Sequence, residues 1–223
     1  MSETPPTETL LIETQALLRL LQLADSAFPA GAYAFSDGLE TLVQRGEVTT
    51  AGDLHAFLHG QLQQGWGLCD PPACALSWAG HTLDELLDLL KPVSGPRTAS
   101  TRTGHNLHRA ALRLWPELLT GLSPARHQAA VFGQITSRLG ASQHSTVTAF
   151  VSSWLLGRVT SATRMMKLGG LDAQRVVSRL ETEAAACVAH ALEASSDDLC
   201  SFAPMLDVAA AEQPGLEVRL FQS

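Results

Sequence analysis

A chain of 223 residues, 45% of them hydrophobic, can bury one sizeable core, and one domain is its simplest organisation. The formal net charge of -7 and the lack of a basic run exclude a nucleic-acid-binding surface as the organising theme. Only Lys91 and Lys167 are lysines; the other basic residues are arginines, which suit planar, bidentate contacts at protein interfaces. The N-terminus has neither the basic n-region nor the apolar h-region of a signal peptide. No apolar run approaches the ~18 residues of a membrane-spanning helix. Cys69, Cys74, Cys187 and Cys200 form no CxxC pair. The expectation is a cytoplasmic protein with reduced thiols.

Residues 1–8 are polar and proline-containing and read as a disordered tail ahead of a domain over 9–223. Leu10, Leu11, Leu17, Leu18, Leu20, Leu21 and Leu23 predict a helix to Ala24 with a broad buried face. A compact turn follows, and Ser36 is the expected cap of a helix to Arg45, ended by Gly46. Thr50 is the expected cap of a helix through Leu54, Leu58, Leu62 and Trp66. Pro71 and Pro72 open a short helix, and Thr82 starts a leucine-rich one that stops before Pro92. Residues 92–101 read as the most loop-like interior stretch.

A helix is expected from Thr103 to Leu119, interrupted at Pro116. Ser123 and Pro124 read as a cap and first-turn proline opening a helix to Leu139. Val147, Phe150, Val151, Trp154, Leu155, Val159 and Ala162 recur in steps of three and four, the face of a long core helix. Leu171 to Ala194 continues that pattern as one helix. Strand-like alternation is nearly absent, so the expected fold is all-α, a single compact domain of about ten helices.

Candidate chemistry is sparse. His55 and His59 at i, i+4, and His105 and His108 at i, i+3, each share a helical face and could offer imidazoles to Ni²⁺ or Zn²⁺. Neither pair has further ligands at a signature spacing, so solvated or polar-capped histidines are the preferred reading and no metal site is assigned. No P-loop, dinucleotide fingerprint or nucleophile elbow occurs, and no catalytic residue or cofactor is assigned. Arg113, Arg138, Arg158, Arg164 and Arg179 stand beside apolar stripes and mostly read as solvated flanks.

Two segments stand apart. The turn within QLADSAFPAGAYAFSDGLET concentrates Phe28, Tyr33 and Phe35 with Pro29, Gly31 and Gly38. Aromatics in a shaped turn form either a buried corner or a surface that grips another protein. The C-terminus closes on Arg219, Leu220 and Phe221, a group that suits docking either in a partner's groove or on the chain's own core.

The turn segment resembles the N-terminal signature of the UreF family of urease accessory proteins, which reads close to LLQLxSPxxPVGGFSYSQGLE. VFGQITSRLG, FVSSWLLGRVTSATR, LCSFAPMLDVAA and the terminal RLFQS follow in the family's order and at about its spacing. The resemblance spans roughly residues 17 to 223. It implies an all-helical, dimeric, cytoplasmic scaffold without an active site of its own. Such proteins bind UreD (also called UreH), recruit the GTPase UreG, and with them deliver nickel to the urease apoprotein. Tyr33 matches the aromatic of the family's GGF/GGY turn, and Arg219 the arginine of its terminal RLF motif, both tied to UreG. Leu220, Phe221 and the preceding tail match the part that becomes ordered on UreD. The expected partner-binding residues are therefore Tyr33, Phe35, Arg219, Leu220 and Phe221. The chain departs from the pattern at Ala32 and His108, where glycines are common, and in a tail that lacks the usual His, Glu and Tyr and carries Pro214. The alternative reading is a helical metallochaperone that holds nickel through its histidine pairs.

Overall fold

Twelve α-helices carry the fold in the computed structural model, which describes residues 6–32, 35–216, 220 and 221; among these there is no strand. The chain begins with α1 (Pro6–Ala24), so residues 6–8 of the expected tail are helical, and 1–5 lie outside the described residues. α2 (Leu39–Gln44) starts two residues later than expected, with Gly38 rather than Ser36 in the cap position. Thr50 caps α3 (Ala51–Gln64) as read: its hydroxyl accepts from the Asp53 N–H, and the Asp53 carboxylate accepts from the Thr50 N–H at 2.8 Å. A 3-10 turn over Trp66–Leu68 leads into α4 (Asp70–Trp78), opened by its prolines, and then α5 (Asp84–Leu90).

α6 (Ser94–Leu114) corrects the loop expected over 92–101. Pro96 falls within the first turn, where backbone N–H groups lack intrahelical partners anyway, so a proline costs no ladder bond there. Pro116 does end this run, and α7 (Pro116–Leu119) follows. α8 (Gln128–Arg138) begins well past Ser123 and Pro124. The N–H groups of Arg126 and His127, just ahead of its first turn, go to the Asp84 carboxylate of α5 at 2.9 and 3.3 Å. Ser123 does not cap the helix; the Gln128 N–H of its first turn goes to Ser100 Oγ of α6 at 3.3 Å. α9 (Gln143–Met165) is the long core helix predicted from its periodicity, capped by Ser142. The single helix expected over 171–194 is two, α10 (Gly170–Arg179) and α11 (Glu181–Glu193), broken at the fully buried Leu180. α12 (Pro204–Glu212) and a 3-10 turn over Gln213–Gly215 close the described fold, and Pro214 sits where the helix stops.

α4 and α8 form the closest helix pair. A Cβ at Gly133 of α8 would stand 2.2 Å from the Cys74 carbonyl oxygen and 2.9 Å from the Trp78 nitrogen of α4. Ala129, Ala130, Ala73 and Cys74 line this contact region and are fully buried, so small side chains let two backbones meet. One core cluster gathers around this pair with α1 and α6; a second joins α2, α3 and α9 to α10 and α11. Trp66 borders both. Its ring stacks on Trp154, with centroids 4.2 Å apart and planes 9° apart, and on Phe150 at 5.5 Å.

α1 departs most from its reading. Ala16, Leu20 and Leu23 are buried, but Leu10, Leu11, Leu17, Leu18 and Leu21 are each at least half exposed. At 100° per residue these five occupy a face separate from the buried one. The broad apolar surface exists as predicted; within one chain only part of it is covered.

His127 ties three helices together at the start of α8. Its ring is 0% exposed, with Nδ1 3.1 Å from Ser100 Oγ of α6 and Nε2 3.1 Å from Asp88 Oδ1 of α5. Burial pushes the imidazole below its ordinary pKa, against the opposing pull of the Asp88 hydrogen bond. Burial also lowers His108. A histidine held neutral in the fold binds fewer protons than in the unfolded chain. Stability is therefore full above the unfolded value of about 6.5 and declines as pH falls below it. The melting temperature is expected to drop between pH 7.5 and 5.5, and His127→Gln to show a shallower drop. Calorimetry across that range checks it, and a flat profile in the wild type would refute it.

Candidate functional site

The turn after α1 is built by short-range bonds. Asp25 accepts from the Ala27 N–H through Oδ1 at 2.7 Å and from the Phe28 N–H through its carbonyl at 3.0 Å. Gly31 then takes φ 79°, and the Asn106 side-chain amide of α6 donates to the Ala30 carbonyl at 3.3 Å. Phe28 lies buried and stacked on Trp115. Phe35 is 5% exposed, and the Arg102 guanidinium sits over its ring, 5.8 Å from the centroid. The turn is thus a buried corner at both of these aromatics. Tyr33 lies outside the described residues.

The corner is clamped to α9 by Arg158, only 7% exposed. Its Nη1 donates to the Phe35 carbonyl at 2.9 Å and lies 3.0 Å from Asp37 Oδ2. The sequence reading of Arg158 as a solvated flank is corrected here. Its spacing from Val151, Leu155 and Ala162 already put it on the buried stripe. Asp37 and Gly38 adopt φ 50° and 85°, a left-handed pair that turns the chain into α2. A Cβ at Gly38 would also meet Leu206 Cδ1 at 2.8 Å, which lets α12 lie directly against the start of α2.

The C-terminal segment docks on the same helix. Thr41 Oγ1 donates to the Ala209 carbonyl of α12 at 2.8 Å, and Arg45 pairs with Glu212. Between them Glu40 is 1% exposed. Its Oε2 accepts from the Gln213 side-chain amide at 2.8 Å and its Oε1 from the Leu220 N–H at 2.6 Å. Phe221 is 4% exposed, with the Arg164 guanidinium 5.1 Å from its ring centroid. Of the residues expected to bind partners, Phe35 and Phe221 are therefore buried in the chain itself and Leu220 is exposed, while Arg219 lies outside the described residues. The flank of the turn leads into α2 at Gly38, and the tail reaches the same short helix at Glu40. Glu40, which accepts from the tail, was not singled out from the sequence. Its signal was a carboxylate inside the apolar run Leu39–Val43.

Beside this junction a cavity of about 370 Å³ lies between the turn, α9 and α12. Phe28, Phe35, Trp66 and Trp154 line it with Arg158 and the partly buried Lys91–Asp70 pair, whose charged atoms are 2.6 Å apart. Burial raises the Asp207 carboxyl at its edge above the usual range. The histidine pairs stand elsewhere: His55 and His59 stack at 6.2 Å, and His59 Nδ1 lies 3.4 Å from Glu183 Oε1. Among the described residues no group of three or more His, Cys, Asp or Glu side chains converges as a metal site. No helix among them is long and apolar enough to cross a membrane.

Outward from the junction, Phe202, Met205 and Val208 on and before α12 are exposed, as is Leu220. The site therefore joins a rigid, hydrogen-bonded seat to apolar side chains left uncovered, an arrangement suited to holding another protein.

Comparison with known proteins identifies the family. The UreF family model matches residues 48–181. A urease accessory protein UreF of Jannaschia sp. is 32% identical over 213 residues, covering 94% of this chain and 96% of the relative. Those of Trichodesmium erythraeum and Allorhizobium ampelinum are 28% and 30% identical, covering 92% and 96% of this chain and 95% and 100% of theirs. An all-helical chain matched by that model over more than half its length, and by such relatives from end to end, belongs to the UreF family of urease accessory proteins.

Proposed function

We propose that this chain is a non-enzymatic scaffold of urease maturation that binds UreD (UreH) and recruits the GTPase UreG, so that nickel is inserted into the urease apoprotein. The observation that carries the reading is that turn and tail both meet α2, the turn leading into it at Gly38 and the tail reaching it at Glu40, with apolar side chains exposed on α12 and at Leu220. Tyr33 and Arg219 belong to these two segments, and both residue types are enriched among interface hot spots. Tyr33→Ala and Arg219→Ala are each expected to weaken UreG binding by about 2 kcal/mol, roughly 30-fold in Kd, while the melting temperature and UreD binding hold. Pull-down and urease activation assays check this. Normal activation by both variants would remove the assignment.

The scaffold acts as a homodimer in this reading. The exposed leucines of α1 support it: Leu10, Leu17 and Leu21 follow the seven-residue and four-residue steps of a helix–helix seam, with Leu11 and Leu18 alongside. Light scattering well above micromolar concentration is expected to show a dimer, and Leu17→Glu a monomer near the 23.7 kDa of one chain. A wild-type monomer under those conditions would count against the dimer.

Nickel is cargo here. The metallochaperone reading would need the histidine pairs to bind metal in the isolated protein. Chelation is expected to leave the melting temperature unchanged. A fall of several degrees, restored by Ni²⁺, would favour that second reading.

A further inference from the structure

α6 concentrates positive charge in an acidic chain. It carries four of the 15 Lys and Arg residues, Arg97, Arg102, Arg109 and Arg113, together with His105 and His108, and none of the 22 Asp and Glu. Thr103, Leu107 and Ala111 bury one face of the helix, while Arg102, His105, Arg109 and Arg113 are exposed on another. Steps of three and four place these four within an arc of about 80° at 100° per residue, along about 16 Å of helix. The Arg102 guanidinium sits over the Phe35 ring, and Arg102, Arg109 and Arg113 enter no ion pair among the described residues. Like charges one turn apart on a helix repel, so this row costs stability that a partner of opposite charge would recover. A groove of about 590 Å³ runs beside it, between α6 and the end of α1 with its turn. Phe28, Pro29, Ala110 and Leu114 give the groove apolar walls, with Arg109 and Arg113 among its lining. Asp25 is the acidic residue there, and its Oδ1 already accepts from the Ala27 N–H.

We propose that this face of α6 is a docking site for an acidic segment of another protein, one that sets Asp or Glu against Arg109 and Arg113 and an apolar side chain in the groove. The proposal rests on the scaffold reading, which places that segment on one of the urease maturation proteins. Guanidinium groups suit carboxylates because they present parallel N–H donors, and the apolar walls reward a segment that is not charged throughout. A second copy of this chain fits less well, because a two-fold contact through the stripe would bring two rows of arginines together. Nucleic acid fits less well too. The net charge of -7 repels a polyanion at long range, and a phosphate backbone has nothing to place in an apolar groove.

Three titrations of the full-length protein test the site: with UreD, with UreG added to the UreD complex, and with urease apoprotein added to that complex. The double variant Arg109→Glu, Arg113→Glu is expected to weaken one of these steps about 30-fold or more. Arg138→Glu with Arg179→Glu makes the same charge change at exposed residues off the stripe, and should leave every step within about 3-fold. Raising salt from about 50 to about 300 mM should weaken the affected step in the wild type and much less in the reversed variant. Leu114→Ser should weaken that step with the salt dependence unchanged. Arg109→Gln with Arg113→Gln removes the charge without reversing it, and carries the test if reversal disturbs the fold. Wild-type affinity at all three steps in a folded stripe variant would overturn the docking site and leave the scaffold reading standing. A loss independent of salt would overturn the charge pairing. Binding of duplex DNA, or a salt-dependent mass in light scattering, that the stripe variant abolishes while the three steps hold would give the face to nucleic acid or to a second copy, and overturn the proposal. A wild-type protein that binds none of the three would remove the scaffold reading and this proposal with it.

Discussion

The approach of α4 to α8 at Gly133 is the constraint on which the rest of the fold depends. No side chain fits where a Cβ would lie 2.2 Å from the Cys74 carbonyl oxygen, so the two helices meet backbone to backbone. That contact fixes where α8 begins, and its start is then tied by Asp84 and by the buried His127 to α5 and α6. α9 packs across both α4 and α8, and its opposite end carries Arg158 and Arg164 to the turn and the tail. The turn-and-tail region is therefore built on a close-packed centre, though its own residues sit at the edge.

Two buried charged side chains near the turn and tail have partners that specify geometry. A guanidinium joined to a carboxylate and a carbonyl admits few arrangements, and so does a carboxylate that accepts from one side chain and one backbone donor. Arg158 and Glu40 are of this kind. They contribute shape more than net stability, because desolvation offsets much of what pairing gains. The proposed scaffold role would need this, because a turn or tail sampling many positions would forfeit affinity to ordering entropy.

The exposed leucines of α1 and the apolar side chains around α12 stand against the rest of the surface. A chain with a net charge of -7 is not short of solvating groups, and apolar faces of this extent support the proposed contacts with other molecules. They lie on different elements, one at the N-terminal helix and one beside the tail. That separation is consistent with a protein that touches more than one other molecule at once.

The sequence by itself determined the helical class, most helix positions and the family. Steps of three and four, the Thr50 cap and the break at Pro116 act through local backbone chemistry, and several blocks in order over nearly the whole chain identify a family better than one motif does. It also pointed to the turn and the tail, because clustered aromatics and an apolar terminus have few bland uses. Only the tertiary structure decided that Phe35 and Phe221 turn inward and that five leucines of α1 stay uncovered, since burial depends on what lies opposite. It also decided that Asp84, not Ser123, meets the N–H groups ahead of α8 and that Leu180 splits a periodic run in two. Glu40 shows the reason most plainly: the groups that give it meaning, Gln213 and Leu220, are distant in the chain and become its neighbours only when α12 folds back onto α2.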